Sequence, residues 1–129
     1  MPPHQHRVLV VEDDDEVREA LGVFLEIAGH AVAGSPNGAA ALEALRAATA
    51  DDGPCVILLD VHMPVMDGWE FRRRQLADPA YANIPVVMFT GDNDVVRARQ
   101  LGVGEFLRKP ADTDAILSAI ERCCGRSDS

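Results

Sequence analysis

Cysteine is sparse: Cys55, Cys123 and Cys124 are the whole complement. The count is odd, two are adjacent, and the third sits in an apolar run. No disulfide framework and no metal-ligand spacing is visible, so the expectation is a reduced, cytoplasmic protein. Long hydrophobic runs are also missing. The longest, Cys55–Leu59 and Pro85–Phe89, fall far short of the ~20 residues that span a membrane. The N-terminus, Met-Pro-Pro-His-Gln-His-Arg, has no apolar stretch long enough for a secretory signal. Positive charge is in deficit: 12 Lys and Arg face 21 Asp and Glu, a net −9. Nucleic acid and anionic membranes repel such a surface. What the chain does have is core-forming material. Apolar residues make up 47% of 129 positions, which suits one domain, leaves no room for two, and excludes global disorder.

Apolar runs and helical periodicity alternate along the chain. Arg7–Val11 reads as a buried strand. Val17, Ala20, Leu21, Phe24, Leu25 and Ala28 then recur at i, i+3, i+4, i+7, i+8 and i+11, an amphipathic helix with Asp14 or Asp15 as N-cap and Gly29 as its stop. His30–Ser35 is a weak second strand. Asn37 caps a helix from Gly38 to about Thr49, with Leu42 and Leu45 inward. Asp51-Asp-Gly-Pro54 is a turn. Val56–Leu59 is the clearest strand and ends at Asp60. A loop from His62 to Gly68 leads into a third helix, Trp69 to Ala77. Its pattern is the least clean, because Gln75 stands where a core residue is expected; Asp78-Pro79 ends it. Val86–Phe89 is a strand ending at Thr90. Asp94–Leu101 is a short helix stopped by Gly102. Glu105–Arg108 is a short strand, followed by Lys109-Pro110. A final helix opens at Asp112 or Thr113 and runs to about Cys124. Five apolar strands alternating with five helices imply an α/β fold, a parallel sheet covered on both faces.

In an open parallel sheet, ligands bind beyond the carboxyl ends of the strands. Those ends carry Glu12 and Asp13, Asp60, Thr90 and Lys109. Three carboxylates on one edge repel one another, and a hard divalent cation relieves the repulsion. Mg²⁺ keeps several waters and bridges to phosphate oxygens, so the set suits phosphoryl transfer, with a carboxylate as nucleophile. Lysine and threonine would hold phosphoryl oxygens.

Taken singly, each residue has an ordinary explanation. Glu12–Glu16 suits a helix N-terminus, Asp60 a turn, Thr90 a strand end, and Lys109 a solvated position. Together, at the correct ends of successive strands, they are hard to explain by accident. His4 and His6 read as a flexible tail rather than a metal clip. Trp69 reads as helix packing. The Arg72-Arg-Arg74 run reads as a solvated helix face, with docking as the minor alternative.

Val8-Leu-Val-Val-Glu-Asp-Asp14, Leu58-Leu-Asp-Val-His-Met-Pro-Val-Met-Asp-Gly68, Val86-Val-Met-Phe-Thr-Gly91 and Leu107-Arg-Lys-Pro110 resemble the receiver domain of bacterial two-component response regulators. The resemblance covers Arg7 to Cys124, leaving residues 1–6 as a disordered tail and 125–129 as a polar tail. It implies a doubly wound, flavodoxin-like five-stranded sheet in the order 2-1-3-4-5. Asp60 would be the phosphoacceptor. Asp13, Asp60 and the His62 backbone carbonyl would bind Mg²⁺, and Glu12 would do so through water. Thr90 and Lys109 would bind phosphoryl oxygens, and Pro110 would follow a cis peptide bond. Thr90 and Phe106 would form the switch, Phe106 standing where the family often has tyrosine. The implied partners are a sensor histidine kinase and a downstream protein such as a histidine phosphotransfer protein, with no nucleic acid and no membrane. The protein would be a stand-alone monomer or weak dimer, and no enzyme beyond catalysing its own phosphorylation and dephosphorylation.

The chain departs from the family pattern in two ways. The interval from Thr90 to Lys109 is shorter by roughly one helical turn, and Phe106 lacks a hydroxyl. With the turn missing, Val95, Val96 and Leu101 are the apolar groups expected to anchor the fourth helix, which should be mobile until phosphorylation. Three rivals are weaker. An aspartyl-nucleophile phosphatase needs a second acid where His62 stands. A flavodoxin-like nucleotide binder needs a phosphate-cradling loop where Glu12–Glu16 stands. A degenerate receiver, acting only as a binding module, would not need all five site residues.

Overall fold

The computed structural model describes residues 6–48 and 53–128. Its elements are β1 (Arg7–Val11), α1 (Asp15–Ile27), β2 (Ala31–Ser35), α2 (Gly38–Ala47), β3 (Val56–Leu59), α3 (Gly68–Leu76), β4 (Val86–Thr90), α4 (Val95–Gln100), β5 (Glu105–Arg108) and α5 (Thr113–Asp128). The strands form one parallel sheet in the order β2-β1-β3-β4-β5. The expected tail residues 1–5, including His4, lie outside the described residues, as do Thr49 and the start of the turn at Asp51.

Side-chain alternation along the strands divides the core in two. Leu9, Val11, Ile57, Leu59 and Met88 face one way, onto Leu42 and Leu45 of α2, Phe71 of α3 and Ala98 of α4. Val8, Val10, Val56, Leu58 and Val87 face the other, onto Leu21 and Leu25 of α1 and Ile116, Ala119 and Ile120 of α5. Val56 to Leu59 are buried on both faces, which explains their unbroken apolar run.

Caps fix the helix starts. Asp14 accepts from the Glu16 and Val17 N–H groups, Asn37 from Ala40, Asp67 from Glu70 and Asp94 from Arg97. Gly29 ends α1 with φ 99°, a conformation that costs glycine little. The buried stripe of α1 is narrower than its periodicity suggests: Leu21 and Leu25 are buried, while Ala20 and Ala28 are exposed.

Four expectations need correcting. Cys55 and Cys124 are joined by a disulfide, and the buried Cys123 is outside the bond. Their separation of 69 residues gives no local sign that the start of β3 meets the end of α5. Helix α5 continues to Asp128 past Gly125, because an interior glycine costs a helix about 1 kcal/mol and does not forbid it. Arg72 is buried rather than solvated. Val96 of α4 is 68% exposed and anchors nothing.

Arg72 and α4 are linked. The Arg72 Nε donates to the Leu101 carbonyl at 2.9 Å and Nη2 to Gly102 at 3.4 Å, capping the carboxyl end of α4. Its Nη1 donates to Gln75 Oε1 at 2.8 Å. The Gln75 Nε2 in turn donates to the carbonyls of Tyr81 and Ile84 at 3.0 and 2.9 Å. Gln75 therefore does occupy the core position, with its amide fully used. Burial lowers the Arg72 pKa, and carbonyl dipoles at a helix C-terminus offset part of that cost. Arg97 of α4 lies over the Trp69 ring at 4.6 Å from its centre. The short helix is thus held by Ala98, by Leu101 at its end, by Arg72 and by the Arg97–Trp69 contact.

Candidate functional site

Parallel register brings the site residues to one edge. Val11 pairs with Leu59, so the next residues, Glu12 and Asp60, lie abreast. The Asp60 N–H donates to the Val11 carbonyl at 3.0 Å, and the Glu12 N–H to the Ser35 carbonyl at 3.0 Å. Thr90 pairs with Arg108, and the Lys109 N–H donates to the Thr90 carbonyl at 2.8 Å. The Lys109–Pro110 bond is cis.

Glu12, Asp13 and Asp60 each offer a carboxylate oxygen, and these oxygens all lie within 4.8 Å of one another. Glu12 and Asp60 are buried and Asp13 is exposed. The Lys109 ammonium donates to Glu12 Oε1 at 2.5 Å and to Asp60 Oδ2 at 3.3 Å. It also sits 5.2 Å from the centre of the Phe89 ring. The other Asp60 oxygen accepts from the Val61 N–H at 2.7 Å.

Burial raises the Glu12 pKa, and Asp60 adds to this; the bonds from Lys109 and the Asp14 N–H pull the other way without cancelling it. Burial also opposes the Lys109 charge, but the Glu12 hydrogen bond and the attraction of Asp60 and Glu12 outweigh it and raise the lysine pKa. The lysine thus stays charged beside three carboxylates and balances one of them, leaving an excess of negative charge. Donors of this kind, all hard oxygens on a partly open edge, fit Mg²⁺.

The loop after β3 is held tightly. Gly68 N–H donates to the Val61 carbonyl at 2.8 Å, and a Cβ on Gly68 would collide with the Asp60 carbonyl. Glycine is required for this close approach, which ties the start of α3 to the backbone of Asp60. Val65, at the exposed tip of the loop, has φ 68°.

Thr90 is fully buried at the end of β4, and its Oγ accepts from the Asp92 N–H at 3.2 Å. Phe106 is half-buried and packs on the α3–α4 side of the sheet. The His62 side chain is exposed and its Nε2 is 2.9 Å from Asp92 Oδ2, bridging the loops after β3 and β4. The structure thus brings Glu12, Asp13, Asp60 and Lys109 together, with Thr90 on the same edge. Asp92 is the neighbour of the site that sequence reasoning missed; the buried Arg72, away from the acids, is the structural residue it missed. Asp92 carried a faint signal as a polar residue in the loop after β4; Arg72 carried none, lying in a run of three arginines.

This fold with acids and a lysine at the strand ends defines a phosphoacceptor module, and comparison agrees. The chain belongs to the response regulator receiver domain family, whose model matches residues 8–121. It is 39% identical over 128 residues to the transcriptional regulatory protein FixJ of Azorhizobium caulinodans, covering 97% of this chain and 58% of the relative. It is 31% identical to the autoinducer sensor kinase/phosphatase CqsS of Vibrio cholerae, covering 91% of this chain and 17% of the relative. Among solved structures, the receiver domain of a histidine kinase from Syntrophus aciditrophicus superposes with TM-score 0.84 at 31% identity, covering 94% of this chain and 91% of that one. A chemotaxis response regulator of Vibrio cholerae gives 0.83 at 28% identity, covering 93% and 99%. The chain spans 58% or less of the two curated relatives named. It is a phosphoacceptor receiver domain of two-component signalling, and the degenerate, binding-only alternative is not favoured. Among the described residues, no helix is long and apolar enough to cross a membrane.

Proposed function

We propose that Asp60 takes a phosphoryl group from the phosphohistidine of a sensor histidine kinase in the cytoplasm. The observation that carries this reading is the convergence of the Glu12, Asp13 and Asp60 carboxylates within 4.8 Å, with Lys109 bonded to two of them. An Asp60 carboxylate oxygen attacks phosphorus; the O–P bond forms as the N–P bond breaks, and the histidine nitrogen leaves with the electron pair. Lys109, already on Asp60 Oδ2, follows the charge onto a phosphoryl oxygen. Thr90 exchanges its Asp92 contact for a second phosphoryl oxygen, and Phe106 fills the space that Thr90 vacates. Asp13, Asp60 and the His62 carbonyl would hold Mg²⁺, with Glu12 acting through water. Bound there, the ion supplies charge neutralisation for the transfer. The same residues let water hydrolyse the acyl phosphate, which makes the module its own phosphatase. A downstream protein, such as a histidine phosphotransfer protein, reads or relays the signal.

The test is incubation with acetyl phosphate and Mg²⁺, followed by intact-mass measurement. The wild type should gain one phosphoryl group and Asp60→Asn none. Undiminished labelling of the variant would place the phosphoacceptor elsewhere.

A further inference from the structure

The disulfide lies at the foot of the sheet, remote from the acids. Cys55 immediately precedes β3 and Asp60 immediately follows it, so the two are roughly 16 Å apart along the strand. The Cα atoms of Cys55 and Cys124 are 5.6 Å apart, in the middle of the range that a disulfide spans. Other bonds set both positions. The Cys55 N–H donates to the Arg7 carbonyl at 2.9 Å, and α5 is seated by Ile116, Ala119 and Ile120. The two thiols therefore stay opposed when the bond is open. Their exposure differs: Cys55 is half-buried and Cys124 is fully buried.

In a compartment that keeps thiols reduced, a disulfide of this kind is reversible rather than permanent. This setting rests on the cytoplasmic reading above; the chemistry at the two sulfurs does not. We propose that Cys55 and Cys124 form a redox modification site that exchanges with low-molecular-weight thiols and disulfides of the glutathione type. For reduction, an incoming thiolate attacks the accessible Cys55 sulfur. A bond forms between the two sulfurs, the Cys55–Cys124 bond breaks, and Cys124 leaves as a thiolate that takes a proton. A second small thiol then frees Cys55 and departs as the small disulfide. Oxidation is the reverse: two protein thiols reduce one small disulfide to two small thiols. Cys123 takes no part. The oxidised bond ties α5 to the start of β3, so redox state sets how firmly that helix is held.

The experiment uses the full chain, equilibrated without denaturant in oxidised glutathione and separately in reduced glutathione, quenched with acid, and only then unfolded, alkylated and weighed. Oxidised protein should carry one alkylatable thiol after unfolding and reduced protein three, with peptide mapping linking Cys55 to Cys124. The oxidised form should melt roughly 10 °C higher, because the bond closes a long loop. Cys55→Ser should show two thiols in both conditions and lose the melting difference. Three thiols persisting in oxidised glutathione would overturn the proposal. So would a bond through Cys123, a mixed disulfide that never resolves, or a bond that opens only after the protein is unfolded. None of these readouts involves Asp60, so they stand apart from the outcome of the phosphorylation test.

Discussion

Val65 holds a positive φ of 68° while 84% exposed. A β-branched side chain pays for that conformation in steric strain, and at this exposure little burial offsets it. Val65→Asn should therefore stabilise the fold by about 1 kcal/mol, read as a higher urea midpoint at unchanged slope. A lower midpoint would show that the valine contributes something else. At the opposite end of the sheet, the His30 ring stacks on His6 at 5.3 Å. Burial, then the proximity of His6, lowers its pKa, against a weaker upward pull from Glu121. The folded state thus prefers neutral His30, while the unfolded chain keeps the ordinary value of about 6.5. Stability from this residue is complete above that value and is lost as pH falls through it toward the lowered folded pKa. His30→Gln should flatten the fall in melting temperature as pH drops below about 6.5. An identical slope in wild type and variant would assign the pH dependence to other groups.

Among the elements, α4 departs most from what the sequence suggests. The sequence offers Val95, Val96 and Leu101 as anchors; Leu101 does pack on the core, but Val96 is exposed and a buried arginine from α3 caps the helix instead. Arg72→Met removes the donors to Leu101 and Gly102 and leaves Gln75 short of a partner. Of these acceptors only Gln75 belongs to a fully buried residue, and an unsatisfied buried group costs about 1–3 kcal/mol, so the variant should lose about 2 kcal/mol. Amides of residues 101–103 should exchange faster, while those of α1 keep their protection. Uniform acceleration would mean that Arg72 supports the whole core and not this joint. The strand ends, by contrast, were legible from sequence alone. Short apolar runs identified β1, β3 and β4, and a parallel sheet collects whatever follows its strands on one edge, so Glu12, Asp13, Asp60, Thr90 and Lys109 could be grouped without coordinates. Arg72 and Gln75 could not, because a polar residue on a short helix looks solvated until the carbonyls that satisfy it are known. The cysteine pair was hidden for a related reason: no local pattern records which strand start meets which helix end.

For the molecule as a whole, the excess of negative charge matters most where it is concentrated. With Glu12 and Asp60 buried, Asp13 beside them and one lysine to balance three acids, the metal-free fold carries unrelieved repulsion at one edge. Mg²⁺ at a hundredfold excess over its dissociation constant should add about 2.7 kcal/mol to stability, measured as a rise in melting temperature on titration. Asp13→Asn should abolish most of that rise. An equal rise in the variant would remove Asp13 from the ion's ligands, and a rise with NaCl of matched ionic strength would reduce the effect to screening.

The Glu12–Lys109 bond joins residues 97 positions apart. It has a consequence for the order of events during synthesis. The acids after β1 emerge from the ribosome first, Asp60 next, and the lysine that balances them last of the three. Contacts of such wide separation form late, since chain-closure entropy must be met before they contribute. A nascent chain that has made β1 to β4 therefore holds its aspartates without their counter-charge. On the proposed reading, the site is complete for phosphoryl transfer only once β5 has docked against β4.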